Sequence, residues 1–192
     1  MPSGGLLLAS TSASRLRLIA RLGVACRVVA PEVDEAAILG TGPDATALAR
    51  AHAKAASVAR LHPDAIVVGG DQLVDLDGQI LGKPGSSEAA LAQLERLAGR
   101  AHRLVTALAV HSPAGPAEHV DVTVLRMRAL PREALGRYVA HDRPEGCAGS
   151  YRIEGQGIAL FERIEGNDPT AIEGLPLGAL AAMLRPLGIE VP

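Results

Sequence analysis

Asp71 stands directly after Gly69 and Gly70, at the close of the apolar run from Ala65 to Val68. Two residues without side chains let backbone or ligand come close beside that carboxylate, and ligand sites in open sheets gather at the ends of strands. An aspartate so placed also caps turns, which is its second reading. Lys54 and Lys83 are the only lysines among nineteen basic residues, the other seventeen being arginine. Arginine is a planar fork and lysine a compact point charge on a flexible stem, so a site that must set one ammonium beside a phosphate oxygen does not accept the exchange. An arginine-biased composition also leaves a few lysines by chance. Near the N-terminus Ser10, Thr11, Ser12 and Ser14 precede or begin a helical pattern, with Arg15 just inside it. Helix-start amides, hydroxyls and a guanidinium together suit a phosphate; a Ser/Thr cluster alone suits a simple cap.

The elements that must hold these residues are legible in outline. An apolar strand from Leu6 to Ala9 runs into the serine cluster, and Leu16, Ile19, Ala20 and Leu22 come next at helical spacing until Gly23. A strand from Arg27 to Ala30 leads to the acidic turn Glu32-Val33-Asp34-Glu35, and Asp44 or Thr46 opens a helix reaching about Leu61. Counted at 100° per residue from Leu48, the residues Ala47, Ala51, Ala55, Val58 and Leu61 fall between about 220° and 360°, and Lys54 at about 240°. Lys54 therefore points toward the protein, where it either snorkels out along its stem or serves a site.

Ala65 to Gly70 predicts a buried strand ending at Asp71. Leu73 to Leu76 and Gln79 to Leu81 flank Asp77-Gly78, a favoured hairpin turn that returns Lys83, extended ahead of Pro84, toward Asp71. Ser86 caps a helix through Leu97 that Gly99 ends. Strands from Arg103 to His111 and His119 to Met127, a helix from Pro131 to about His141, a glycine-rich stretch from Gly146 to Gly157, a strand from Ile158 to Ile164 and a helix from Pro176 complete the chain. Strands and helices mixed without strict alternation predict an α/β (mixed α+β) fold with a mixed sheet, as a single domain over 1–192.

Composition narrows the partner. With net charge -2, no Trp, one Phe and two Tyr, the chain has neither a basic footprint nor stacking platforms for nucleic acid. Cys26 and Cys147 lack partners at metal-ligand spacing, so neither a zinc site nor a disulfide framework is expected, and a reducing cytoplasm is the default. No run approaches the roughly 20 apolar residues of a membrane span. A small molecule remains the expected ligand.

Taken in order, these places resemble the Maf family of nucleoside triphosphate pyrophosphatases along nearly the whole chain. Leu8-Ala9-Ser10-Thr11-Ser12-Ala13-Ser14-Arg15 is similar to its phosphate loop, Glu35 to the acidic residue after the second strand, Lys54 to the helix lysine, Gly70-Asp71 to the catalytic aspartate and Gly82-Lys83-Pro84 to its Lys-Pro. Leu97 to His102, Ala148 to Tyr151, Glu154 to Gly157 and Gly174 to Leu177 match further landmarks. The resemblance implies an elongated mixed sheet with flanking helices, two lobes around a deep cleft (a Maf/ITPase-like architecture), a homodimer in many members, and hydrolysis to a nucleoside monophosphate and pyrophosphate. Phosphoryl chemistry, in which positioning and charge neutralisation dominate, then assigns the roles: Arg15, Lys54 and Lys83 on phosphate oxygens, Ser10 and Ser12 in the phosphate loop, and Glu35 with Asp71 on a Mg or Mn ion. Asp71 is expected to orient or deprotonate the attacking water.

Members acting on dTTP or UTP carry Thr after the catalytic aspartate and Gln in the glycine-rich segment; here those positions are Gln72 and Glu154. This resembles the 7-methyl-GTP branch, whose role is house-cleaning of a modified nucleotide, and a carboxylate can accept from both N1–H and N2–H of guanine, worth about 1 to 3 kcal/mol by analogy with bidentate base contacts. Two departures stand against it: Ser14 replaces an aromatic ring that would stack on the methylated base, and Ala13 replaces the family's proline. The competing expectations are the dTTP/UTP activity of the sister branch and a non-catalytic nucleotide-binding regulator of septum formation.

Overall fold

Four consecutive apolar residues, Leu6–Ala9, form β1, the short strand to which two others attach. In the computed structural model, which describes residues 4–191, β1 pairs in parallel with β2 (Cys26–Val29) and with β3 (Ile66–Leu76). Parallel neighbours require crossovers, and α1 (Ala13–Ala20) and α2 (Pro43–Ala59) lie in them. The sheet has seven strands in the order β2-β1-β3-β5-β6-β7, with β4 (Gln79–Leu81) paired to β3; β5 is Ala101–Ser112, β6 Gly115–Met127 and β7 Phe161–Glu165. β3 with β4 and β6 with β7 are antiparallel, so the sheet is mixed as expected. Three more helices, α3 (Ser87–Leu97), α4 (Arg132–Asp142) and α5 (Leu177–Leu184), complete the α/β fold. Among the described residues no helix is long and apolar enough to cross a membrane.

The chain forms two compact units, Met1–Asp71 with Thr106–Asp121 and Asp168–Pro192, and Gln72–Val105 with Val122–Asn167. In the first unit the two faces of β1 and β3 receive different partners, because strand side chains alternate. Leu6, Leu8, Ile66 and Val68 pack with Leu18 and Ile19 of α1 and with Leu180 and Leu184 of α5 in one apolar core. The intervening residues face α2, where Gly69 lies so close that a Cβ there would fall 2.3 Å from the Ala51 carbonyl oxygen. In the second unit Tyr151 and Phe161 meet edge to face at 4.9 Å, with His102 against both rings.

Three local expectations change. β3 does not end at Asp71 but continues for five more residues to Leu76. It is β1 that stops, at Ala9 opposite Gly69, so Asp71 lies just beyond the carboxyl end of its parallel neighbour. α2 opens from Gly42 with Pro43 in its first turn and no side-chain cap; Thr46 instead accepts from the Gly40 amide at 2.9 Å. It ends at Ala59, which leaves Leu61 outside the helix and 71% exposed rather than on the buried arc. Finally, residues 156–160 form a 3-10 turn and the strand begins at Phe161, since the Gly157 amide donates to Asp142 Oδ2 at 3.2 Å and holds the segment off the sheet.

Candidate active site

Strand alternation decides which neighbours Gly69, Gly70 and Asp71 meet. Gly69 and Asp71 face α2, and Ala51, Lys54, Ala55 and Val58 recur on the buried side of that helix at the spacing of one face. The small residues Ala51, Ala55 and Gly69 bring helix and strand together, so the Lys54 stem needs to reach only a short way. Lys54 Nζ donates to Asp71 Oδ1 at 2.7 Å and lies 3.1 Å from Glu35 Oε2. Both partners of the first bond are buried, with side chains 6% exposed, whereas Glu35 is 46% exposed at the start of a 3-10 turn, Glu35–Ala37, capped by Asp34. The helical count for Lys54 thus holds, and its snorkelling alternative does not.

Gly70 faces the other way, and Arg15 occupies the space its side chain would fill: a Cβ there would lie 3.2 Å from Arg15 Nε. Arg15 Nε donates to the Gly174 carbonyl at 2.9 Å. Burial lowers the pKa of the guanidinium while the charges of Asp71 and Glu35 raise it, so all three groups share one electrostatic neighbourhood; arginine remains protonated throughout. The loop between β1 and α1 supplies the rest. Ser10 is buried and its Oγ accepts from the Ser12 amide at 3.1 Å, while Ser12 caps α1 by accepting from the Arg15 amide. The cap reading and the phosphate reading of these serines are therefore compatible, because a helix start with its hydroxyls lies beside Arg15.

Ser10, Ser12, Arg15, Glu35, Lys54 and Asp71 all belong to the first unit. Gln72, Lys83 and Glu154 belong to the second. There Lys83 and Glu154 are exposed, and both charges act on the Cys147 thiol, whose pKa is raised chiefly by burial and next by Glu154. Arg152 Nε lies 3.8 Å from Glu154 Oε1. The glycine-rich segment is anchored by Ser150 Oγ donating to Gln93 at 2.7 Å and by the Arg152 amide donating to Tyr138 at 2.9 Å. Sequence reasoning marks Gly174 only as a landmark and misses that its carbonyl orients Arg15. It also misses Gly70 as the seat of that side chain. The adjacent glycines are the available signal.

Two observations bear on a metal. Asp71 Oδ2 is buried with no hydrogen-bond partner among the described residues, although Oδ1 is engaged. No group of three or more His, Cys, Asp or Glu residues able to hold an ion occurs among the described residues. Two carboxylates around one unsatisfied oxygen do not make a dedicated cage. They do fit a hard cation of the Mg type, which takes one or two carboxylates and completes its shell with water and substrate phosphates.

A carboxylate held by a buried lysine, in the field of an arginine and near a serine-capped helix start at the parallel strands of a mixed α/β sheet, defines a protein that handles a phosphorylated ligand by charge. The sequence agrees with that class: residues 5–187 match the family described as Maf-like protein, and the chain belongs to the Maf family. It is 47% identical over 97% of its length to the "7-methyl-GTP pyrophosphatase" of Xanthomonas campestris pv. campestris (strain 8004), of which 98% is covered. Proteins of the same description from Thiobacillus denitrificans (45% over 97% of this chain and 94% of the relative) and Bordetella avium (42% over 96% and 94%) are similar along the same span.

Proposed function

We propose that this chain hydrolyses 7-methyl-GTP between its α and β phosphates, releasing 7-methyl-GMP and pyrophosphate. The observation that carries the reading is the buried Asp71 carboxylate: Oδ1 is fixed by Lys54, Oδ2 has no partner among the described residues, and the charges of Asp71 and Glu35 both act on Arg15. The names of its full-length relatives support the substrate.

Arg15 and the α1 amides neutralise the triphosphate, and the Gly174 carbonyl fixes the orientation in which Arg15 does so. Before nucleotide enters, Lys54 holds Asp71 in one rotamer; in the complex Lys54 serves the phosphate oxygens, and Asp71 Oδ2 orients the attacking water and accepts its proton. A carboxylate is a weak base at neutral pH, and a Mg or Mn ion on Glu35 and Asp71 would supply the acidity that water needs. Lys83 serves the leaving pyrophosphate. Gln72 and Glu154 read the base; the Glu154 carboxylate accepts from guanine N1–H and N2–H and favours the cationic methylated ring, for about 1 to 3 kcal/mol of discrimination over pyrimidines. The two unpaired cysteines suit the reducing cytoplasm, where such a nucleotide would be met.

The test is pyrophosphate release, with Mn present, from 7-methyl-GTP, GTP, UTP, dTTP and CTP. The guanine nucleotides should lead, with 7-methyl-GTP first. Preference for UTP or dTTP would overturn the reading of Glu154 in favour of the sister branch. Binding of nucleotide without release of pyrophosphate from any of the five would make the protein a regulator.

A further inference from the structure

Lys54 is engaged with Glu35 and Asp71, the same two carboxylates that would hold the metal. Its ammonium lies 2.7 Å from Asp71 Oδ1 and 3.1 Å from Glu35 Oε2, on a residue only 5% exposed. A divalent ion approaching this pair meets a positive charge already bound there, with the Arg15 guanidinium in the same field. In a buried site such like-charge repulsion is poorly screened. Nor does the protein offer a third carboxylate, histidine or cysteine to offset it, for no such group occurs among the described residues.

We infer that Lys54 is a built-in counter-ion that competes with the metal for Glu35 and Asp71, and that the triphosphate relieves this competition. The inference rests on the proposed metal site. An ammonium carries three N–H donors, and two are directed at Asp71 and Glu35. An incoming triphosphate offers Lys54 anionic oxygens in exchange and brings the further oxygen ligands that a Mg-type ion requires. Metal and nucleotide therefore enter together, each raising the affinity of the other by the same factor. Without nucleotide Lys54 keeps Asp71 Oδ1 and Glu35 Oε2 engaged and the protein binds the ion weakly, which keeps an unproductive metal-loaded state scarce.

Manganese binding, read from the electron paramagnetic resonance signal of the free ion, tests this without turnover. For nucleotide-free protein, Lys54→Met should bind Mn at least 10-fold more tightly than the unaltered chain, with Glu35→Gln and Asp71→Asn as controls that weaken it. Beyond the Mn held by the analogue without protein, the non-hydrolysable α,β-methylene analogue of GTP should raise Mn affinity at least 10-fold in the unaltered chain and much less in Lys54→Met. Equal or weaker Mn binding by nucleotide-free Lys54→Met, with strong binding by the unaltered chain plus analogue, overturns the counter-ion and leaves the metal site intact. No Mn binding by either protein with analogue present overturns the metal site itself.

A second measurement needs no variant. The chain has only two lysines, so 13C labelling of lysine Cε gives two resonances. Mg alone should leave that of Lys54 in place, and Mg with the analogue should move it. Full displacement by Mg alone would overturn the proposal.

Discussion

Lys54 and Asp71 form a buried pair in which neither partner tolerates a change of shape. Arginine keeps the charge of Lys54 but not its point-like geometry, and the residue has little room at 5% exposure. Lys54→Arg is expected to lower kcat at least 10-fold, measured as pyrophosphate release; activity within 2-fold of the unaltered chain would show that charge alone suffices. His102 makes a different prediction. Burial pushes its imidazole down to about 4, and its Nδ1 has no partner among the described residues. The unfolded chain takes up this proton below about 6.5 while the folded one resists it, so the stability is present at pH 7 and lost as pH falls toward 4. The loss amounts to about 3 kcal/mol at pH 4. Denaturant melts of His102→Gln should show a shallower decline between pH 6.5 and 4 than the unaltered chain, and equal slopes would remove His102 as the cause. Lys54 is legible in the sequence because rarity and helical phase agree. His102 is not, because a lone histidine at the start of an apolar run carries no sign of the rings that bury it.

At the level of elements, adjacent glycines of β3 do separate work, and substitution can tell them apart. Alanine at Gly69 would drive its Cβ to 2.3 Å from a backbone oxygen of α2, which can move only with the helix, whereas at Gly70 the nearest atom is 3.2 Å away on the flexible Arg15 side chain. Gly69→Ala is therefore expected to destabilise by about 1 to 3 kcal/mol. Gly70→Ala should melt within a few degrees of the unaltered chain while its KM for nucleotide rises several-fold. The reverse order of effects would contradict the packing described for α2 and Arg15. Sequence periodicity locates β3 but cuts it at Asp71, since a polar pair inside a strand reads as an ending. What ends is β1, and register between strands is not written in the strand itself. The Asp77-Gly78 turn, by contrast, is fixed by local chemistry and stands where expected, both residues having positive φ.

For the molecule as a whole, the residues that converge on Asp71 come from the first 71 positions, but the unit that holds them does not. Its core is closed by Leu108 and Val110 of β5 and by Leu180 and Leu184 of α5, which stand far along the chain from β1. Leu180→Ala, at a fully buried position, should cost about 2 to 5 kcal/mol and yet leave KM unchanged below its melting temperature. A shifted KM at full folding would give α5 a direct part in the site. The mixed α/β class is legible from element order, whereas the return of the C-terminal helix to the N-terminal core is not, because apolar faces do not name their partners. On the proposed reading Asp71 activates the water that breaks the bond between the α and β phosphates. Products formed from 7-methyl-GTP, monitored by 31P NMR for the unaltered chain and for Asp71→Asn, test it most directly. 7-Methyl-GMP and pyrophosphate are expected from the former, and from Asp71→Asn a turnover at least 100-fold slower. Equal turnover by the two proteins, or release of inorganic phosphate with 7-methyl-GDP, would contradict it.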